Sequence, residues 1–448
     1  ADGLRDRDEP SHHASDAGSD RLTLAPVAAP PLPLDRVTVE RLSVGRGEPG
    51  WQLEDRLAAL ERFEAAPWPT GKEEEWRRFP LRDLPPVRAA ELLDVAHPPS
   101  DYGSVPLDAS HKGLVFDRWS SAVRDHPELV RRFLPDGGGM PSHDAFRAWA
   151  GALYGHGSTF LYVPAGLHVE LPLQVHKRWA AGSAPIVFRT LVVAEEGSSV
   201  TLLEELSSEG GGPGRIAVPS VEVRAGPGAT VRYVGVQRYS DDVWEIGQQR
   251  NISERDSVLA NFNVLVGSRR TKLGVESDIR GNGARVKLYG LVAAGGEQRI
   301  DVNSLQKVDG KASTSDLLYL SALYEAAHAV LYGVIRVEPT SSGTGSYQEC
   351  RNMLLSNKAG ADPIPVLEIL TNDVARCGHG ATAGSLSDED LFYIMSRGLD
   401  RRMAEQLLVR GFFQRVVNDI PDVQIRTRVT DALAPRIGRI AEAEVAAA

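Results

Sequence analysis

From residue 158 onward, apolar and polar residues alternate with a period of two, and short turns interrupt the alternation at near-constant intervals. Such alternation is the pattern of strands with one buried face. "STFLYVPAGLHVELPLQVH" (158–176) reads as two strands turning at Pro164-Ala165-Gly166. Between about 185 and 375 one unit recurs: "EEGSSVTLLEEL", "AGPGATVRYVGV", "SERDSVLANFNV", "RGNGARVKLYGLV" and "VDGKASTSDLLYL". Each is a Gly, Asp or Lys turn, a small residue and an alternating strand. Aligned on the turn, the units start at Gly197, Gly228, Asp256, Gly283 and Lys311, in steps of 31, 28, 27 and 28 residues. A fixed period of this size marks stacked units, in which each coil buries its apolar face only against its neighbours. The pattern predicts a mainly β chain whose core is a right-handed parallel β-helix, a solenoid stacked continuously from about 158 to 375. The competing arrangement is a sandwich with evenly spaced hairpins.

On either side the period changes to that of helices. "QLEDRLAALERFE" places Leu53, Leu57, Leu60 and Phe63 on one face. In "APWPTGKEEEWRRFPLRDL", Pro67 and Pro69 hold the chain extended and a short acidic helix with Trp76 is expected. "SHDAFRAWAGALYGHG" predicts a helix capped at Ser142. Near the other end, "SDEDLFYIMSRG" has an N-cap at Ser387, acids in its first turn and a stop at Gly398. "DRRMAEQLLVRGFFQRVVNDI" (400–420) predicts a helix that ends before Pro421 and buries Met403, Leu407 and Leu408; "VQIRTRVTDALAPRI" is a third. The expected organisation is a disordered polar and Pro/Ala-rich arm (1–35), an N-terminal helical region (36–157), the β-helix (158–384) and a C-terminal helical domain forming a cap (385–448). Residues 85–140 carry mixed signals.

Composition narrows the function classes. The chain of 448 residues has a net charge of −10, a pI near 5.7 and no basic stripe, which argues against nucleic acid. No apolar run reaches membrane-spanning length, and the first twenty residues lack the apolar stretch of a secretory signal. Two cysteines exclude a disulfide framework. A cytoplasmic protein in reducing surroundings is expected.

One of those cysteines lies in "ARCGHGATAG" (375–384), two residues before a histidine. Cys377 and His379 are ligands suited to iron clusters or zinc, and in an extended segment residues i and i+2 face the same side. Two ligands do not complete a tetrahedral site, and Cys350 is the only other thiol, so the stretch reads as half a site to be completed by another subunit. The plain alternative is a small buried thiol and a turn histidine. His12 and His13 read as solvated, and Asp388, Glu389 and Asp390 as helix-start acids. Glu195, Glu196, Glu204 and Glu205 read as solvated coil edges. No phosphate-loop pattern is present, so ATP binding by this chain is not expected.

"PIPVLEILTNDVARCGHGATAGSLSDEDLFYIMSRGL" (363–399) resembles the SufB/SufD family of iron–sulfur cluster assembly proteins, as do "VLYGVIRVEPTSSGTGSYQECRNMLLSNKA" (330–359), "PWPTGKEEEWRRFPL" (67–81) and "AFRAWAGALYGHGSTFLYVPAGLHVELPL" (145–173). The similarity runs over roughly 55–440. In that family SufB is the scaffold paralogue, with a cluster-accepting Cys after P-x-x-E; here Ile369 follows Val366-Leu367-Glu368. Together with the "CGHGAT" run in place of an acid-flanked "HEAT", this makes the chain most similar to SufD. Cys350, in "SYQECRN", is instead a SufB-like feature.

The resemblance implies a non-enzymatic subunit of the SUF system that pairs with a SufB-like paralogue through the solenoid end, a homodimer being the alternative. It implies that His379 and Cys377 lie at the shared interface, where iron or an Fe–S cluster passes transiently, with no cofactor held stably by this chain alone. It implies a docking surface for the SufC ATPase at Asp388, Leu391, Phe392, Tyr393 and Arg397. A SufB-like scaffold is the alternative within the family. From fold alone, a β-helix carbohydrate-active enzyme would need paired acids, or an Arg or Lys base, in a groove on the coils.

Overall fold

The computed structural model describes residues 32–92, 112–134, 140–155, 157–180, 185–210 and 214–439. Most of the N-terminal arm, with His12 and His13, lies outside the described residues. The N-terminal region holds helices α1 (Arg36–Gly45), α2 (Gly50–Ala65) and α3 (Ala89–Leu92), strand β1 (Val115–Arg118), and helices α4 (Trp119–Asp125), α5 (Pro127–Arg132) and α6 (Asp144–Leu153). The solenoid follows as sixteen strands: β2 (Thr159–Val163), β3 (Leu173–Trp179), β4 (Ile186–Ala194), β5 (Ser199–Ser208), β6 (Arg215–Ala225), β7 (Thr230–Arg238), β8 (Val243–Ser253), β9 (Val258–Leu265), β10 (Arg270–Ile279), β11 (Arg285–Ala294), β12 (Arg299–Val308), β13 (Thr314–Leu323), β14 (His328–Val337), β15 (Thr344–Leu354), β16 (Gly360–Ile369) and β17 (Val374–Ser385). Helices α7 (Asp388–Met395), α8 (Arg401–Val417) and α9 (Val423–Arg439) close the chain.

Even-numbered strands form one parallel sheet in the order β2-β4-β6-β8-β10-β12-β14-β16, extended by β1, which pairs antiparallel with β2. Odd-numbered strands form the second, β3 to β17. Successive strands therefore enter opposite sheets, which excludes hairpins: the turn at Gly166 joins two layers. Eight coils of two strands stack in this way, and the stack runs on past residue 375 to Ser385.

The recurring turn is the hinge of each coil. Gly166, Gly197, Gly228, Asp256, Gly283, Ala312 and Gly343 all have positive φ, between 51° and 71°, which explains the preference for Gly and Asp. In the fifth repeat the left-handed residue is Ala312, one place beyond the aligned Lys311. Each of these residues donates its N–H to a carbonyl one coil on: Gly166 to Glu196, Gly197 to Pro227, Gly228 to Arg255, Asp256 to Asn282, Gly283 to Lys311, Ala312 to Ser342 and Gly343 to Asp373. The corner is thus a hydrogen-bonded ladder that sets the period.

Both outer faces of the solenoid are covered, as parallel sheets require. On the even-strand sheet, Trp76, Phe79, Phe146 and Trp149 pack on Ile216, Val218, Trp244 and Ile246. Trp76 is fully buried and stacks on Phe146 (ring centroids 5.4 Å). The segment around it is a turn rather than the expected acidic helix: the Glu73 carboxylate accepts from the N–H groups of Thr70 and Gly71 and ties the loop back on itself. Helix α6 starts at Asp144, after a 3-10 turn over Pro141–His143, rather than at Ser142.

The C-terminal helices differ from expectation in two ways. They do not cap the end of the stack; α8 and α9 lie along the outer face of the odd-strand sheet, where Val409, Phe413, Val416 and Ile425 meet Val236, Phe262, Leu291 and Leu320. Arg415 on α8 forms a bidentate pair with Glu349 on β15 (3.0 and 2.6 Å). The buried face of α8 is Ala404, Val409, Phe413 and Val416; Met403 and Leu407 are half exposed and Leu408 only partly buried.

Inside the coils, one half is aliphatic and the other polar. Glu204 is fully buried, not a solvated edge: it accepts from Thr190 and Tyr233 and lies 2.6 Å from the buried Lys177 ammonium. Glu205 is buried too, against Arg238. Further along, Gln249, Asn251, Asn261 and Asn263 bond one another in a closed amide network. Each amide must find a partner here, because an unpaired buried polar group costs about 1–3 kcal/mol.

Candidate functional site: the open end of the solenoid

The last coil is β16 and β17, and each is the final strand of its sheet. The run "ARCGHGATAG", for which a turn was the plain alternative, is almost all of strand β17 and pairs in parallel with β15. Its glycines have a specific reason. On the outer side of β17, Tyr347 lies across Gly378 and Gly380; a Cβ at Gly380 would stand 3.0 Å from the Tyr347 hydroxyl. Arg376 covers the other part of that ring at 4.4 Å.

Cys377 and His379 fall on the opposite, inward side. In register they face Ser346 and Gln348 of β15. Gln348 is buried and its amide donates across the coil to the Gly333 carbonyl of β14 (3.1 Å), which fixes that side as the interior. In any earlier coil these positions would be sealed by the next one. Here nothing in the described residues stacks on them, so His379 is exposed and Cys377 is half-buried. The apolar Ile369 and Leu370 are likewise exposed at this end.

The two thiols have different environments. Cys350 lies one coil inside, in the aliphatic core, and burial pushes its thiol up to about 12. Burial also raises Cys377, so at neutral pH it is a thiol rather than a primed thiolate. Iodoacetamide at pH 8 is therefore expected to label Cys377 slowly in the native chain and Cys350 only after denaturation. Peptide mass spectrometry reads this directly; native labelling of Cys350 would contradict its burial. Among the described residues, no three His, Cys, Asp or Glu side chains are grouped to hold a metal ion.

The free edge is protected unequally. Gly360 donates to Ala327, just before β14, and Leu370, just past β16, donates to Val337 at the end of β14, so even-numbered residues of β16 point their N–H groups inward along the sheet. Pro363 and Pro365 occupy the intervening positions, where an edge strand would offer donors to a newcomer. Strand β17 has no proline.

A second surface lies beyond this end. Ser387 caps α7 through the Asp390 N–H, as expected. Leu391 is its buried anchor, whereas Phe392 is 74% exposed and Tyr393 59%, with Arg397 donating to the Tyr393 hydroxyl (3.2 Å). Asp388 is exposed. Met395, Met403 and Leu407 are also exposed, so α7 and α8 present large apolar side chains to solvent.

The description "SUF system FeS cluster assembly, SufBD core domain" matches residues 178–412, more than half of the chain. The chain belongs to the SufBD family. It is 26% identical to the iron–sulfur cluster assembly protein SufB of Bacillus subtilis over 87% of this chain and 90% of that protein. It is 27% identical to SufD of the same organism, over 91% and 98%. A SufBD family protein of Staphylococcus epidermidis is 26% identical over 86% of this chain and 89% of its own length. Similarity to the two paralogues is thus equal in degree. No helix among the described residues is long and apolar enough to cross a membrane.

Of the residues singled out from sequence, the structure brings His379 and Cys377 together on one strand side and sets Cys350 apart in the core. It divides the α7 group into a buried Leu391 and exposed neighbours. Sequence reasoning missed Met403 and Leu407 as surface residues, and Pro363 and Pro365 as edge residues. The prolines could have been noticed: two prolines at i and i+2 within a strand pattern signal an edge.

Proposed function

We propose that this SufBD family chain acts as a SufD-like, non-enzymatic subunit of a cytoplasmic SUF assembly complex, paired through its open solenoid end with a SufB-like subunit. The observation that carries the reading is the uncapped last coil, which presents one exposed imidazole and one protonated thiol but no complete ligand set. Ile369 at that end supplies no thiolate, which favours the SufD-like over the scaffold role. Iron or a nascent cluster is then cargo at the shared surface, with His379 and Cys377 as this chain's donors. Deprotonation of Cys377 would accompany binding.

The exposed apolar face of α7 and α8 fits a protein partner, and the reading assigns it to a SufC-like ATPase. Because Phe392 is exposed, Phe392→Ala should leave the melting temperature within about 1 °C, since surface substitutions usually change stability by about 0.5 kcal/mol or less. It should weaken ATPase retention in a pull-down at least tenfold. Unchanged retention with Phe392→Ala and Leu407→Ala combined would remove the docking assignment.

The pairing is tested by co-expression with SufB-like and SufC-like partners and size-exclusion chromatography. A stable ternary complex, together with failure of the isolated chain to hold a stoichiometric cluster on reconstitution, is the expected result. A cluster retained by the isolated chain would favour the scaffold role instead.

A further inference from the structure

Beneath each candidate donor of the open end, one coil in, lies a buried side chain with an oxygen to spare. Cys377 stacks in register on Ser346, and His379 on Gln348. Ser346 is 2% exposed and Gln348 4%. Among the described residues, Ser346 Oγ and Gln348 Oε1 have no hydrogen-bond partner. An orphaned polar atom in a core is costly, and native proteins satisfy nearly all of them. Two such atoms directly under the two donors point to partners supplied from the last coil.

The Gln348 amide is held in place. Its Nε2 donates to the Gly333 carbonyl (3.1 Å), which leaves Oε1 as the free end. Position 333 is glycine for the sake of that oxygen, since a Cβ there would stand 2.6 Å from Oε1. A void of about 10 Å³ is bordered on one side by Gln348 and Gly333 and on the other by Gly380 and Ala381 of β17. Side chains of the last strand therefore have room to settle towards the amide. Adjacent strands lie about 4.8 Å apart, which brings side chains in register on one face within hydrogen-bond reach. The His379 ring is exposed and makes no hydrogen bond among those described, so it is free to turn.

We propose that Gln348 and Ser346 are positioning residues for the donor pair, an inference that rests on the assembly role argued above. When His379 binds a metal through one ring nitrogen, the other donates its N–H to Gln348 Oε1. The Ser346 hydroxyl donates to the Cys377 sulfur. A metal-bound imidazole almost always has such an acceptor, which fixes its tautomer and its aim. Here the acceptor lies inside the coil, so the ligating nitrogen faces outward, towards the partner surface. Neither Gln348 nor Ser346 touches the metal.

The test is titration of the co-purified pair with a SufB-like subunit by cobalt(II), followed by visible absorption. It compares wild type with His379→Ala, Gln348→Met, Ser346→Ala and Gln306→Met. Gln306 is a fully buried amide one coil deeper, on the opposite sheet and beneath neither donor, and controls for the loss of a core amide. Gln348→Met is expected to weaken cobalt binding at least about tenfold, the usual effect of removing such an acceptor. Gln306→Met should leave it unchanged. Ser346→Ala removes an unsatisfied hydroxyl, so it should melt no lower than wild type and still shift the sulfur-to-cobalt charge-transfer absorption. A purely structural residue does not produce that split, and this variant keeps the test decisive if Gln348→Met does not fold. If His379→Ala leaves cobalt binding unchanged, the reading of the open end itself fails. If His379→Ala weakens binding while Gln348→Met and Ser346→Ala match wild type, or if Gln306→Met loses as much as Gln348→Met, the positioning role alone is overturned.

Discussion

His379→Ala is expected to abolish iron–sulfur cluster assembly in a strain that depends on this chain, while leaving the protein folded and able to associate with its SufB-like partner. The side chain is exposed on the last strand and no hydrogen bond ties it to its own subunit among those described. A surface truncation of that kind costs about 0.5 kcal/mol or less. An imidazole is, however, a competent iron ligand near neutral pH, and no other His shares that side of β17. Cys377→Ser should have the milder effect, because the thiol is half-buried and starts protonated. The measurements are aconitase-type Fe–S enzyme activity in complemented cells, thermal melting and co-purification. Normal Fe–S enzyme activity with His379→Ala would reduce the open end to a packing surface.

Glu245→Gln is expected to stabilise the protein at pH 8 and to do nothing near pH 4.5. Glu245 is buried inside the coils, accepting a hydrogen bond from Gln237 (2.6 Å), and among the described residues no cation pairs with it. Burial raises its carboxyl from 4.5 to about 7. Because the folded pKa lies above the unfolded one, the protonated group contributes full stability below pH 4.5. That contribution is lost as pH rises towards 7, and the loss reaches about 3 kcal/mol. Glutamine keeps the shape and the accepting oxygen but never ionises. Denaturant unfolding at pH 5 and pH 8 should show the wild type weakening and the variant not. A variant that follows the wild-type pH profile would show that Glu245 is not the titrating group.

The coils were legible because their signal is local: a left-handed corner at Gly or Asp followed by alternation is written within a dozen residues. What strand alternation could not convey is which strand lies beside which, and the turn at Gly166 therefore resembled a hairpin. Strand β17 was hidden for another reason. Its glycines accommodate the ring of Tyr347, a partner on the preceding coil, so nothing within the run itself separated a strand from the alternative of a turn. In α8, apolar residues occur nearly all around the helix, and periodicity did not separate Met403 and Leu407 from Val409 and Phe413. Only the position of the odd-strand sheet decides between them. The pairing of Cys377 with His379 was visible from their spacing, and the SufBD resemblance from the long C-terminal motif. The inward side they share was not, because it depends on register with Gln348.

The two ends of the stack are unlike, and on the proposed reading this sets how many subunits an assembly holds. At the first coil the even-strand sheet finishes in the antiparallel β1, packed beneath Trp119 and Val130. At the last coil it finishes in a strand carrying Pro363 and Pro365. Head-to-tail addition would have to join these two dissimilar edges, and both are poor templates for a further parallel strand. Joining last coil to last coil instead places β17, which carries no proline, in the shared surface and leaves the first coils, with β1 over the even-strand sheet, at the two far ends. On that reading the arrangement is a closed pair, related by a true or approximate two-fold axis, and not a fibre.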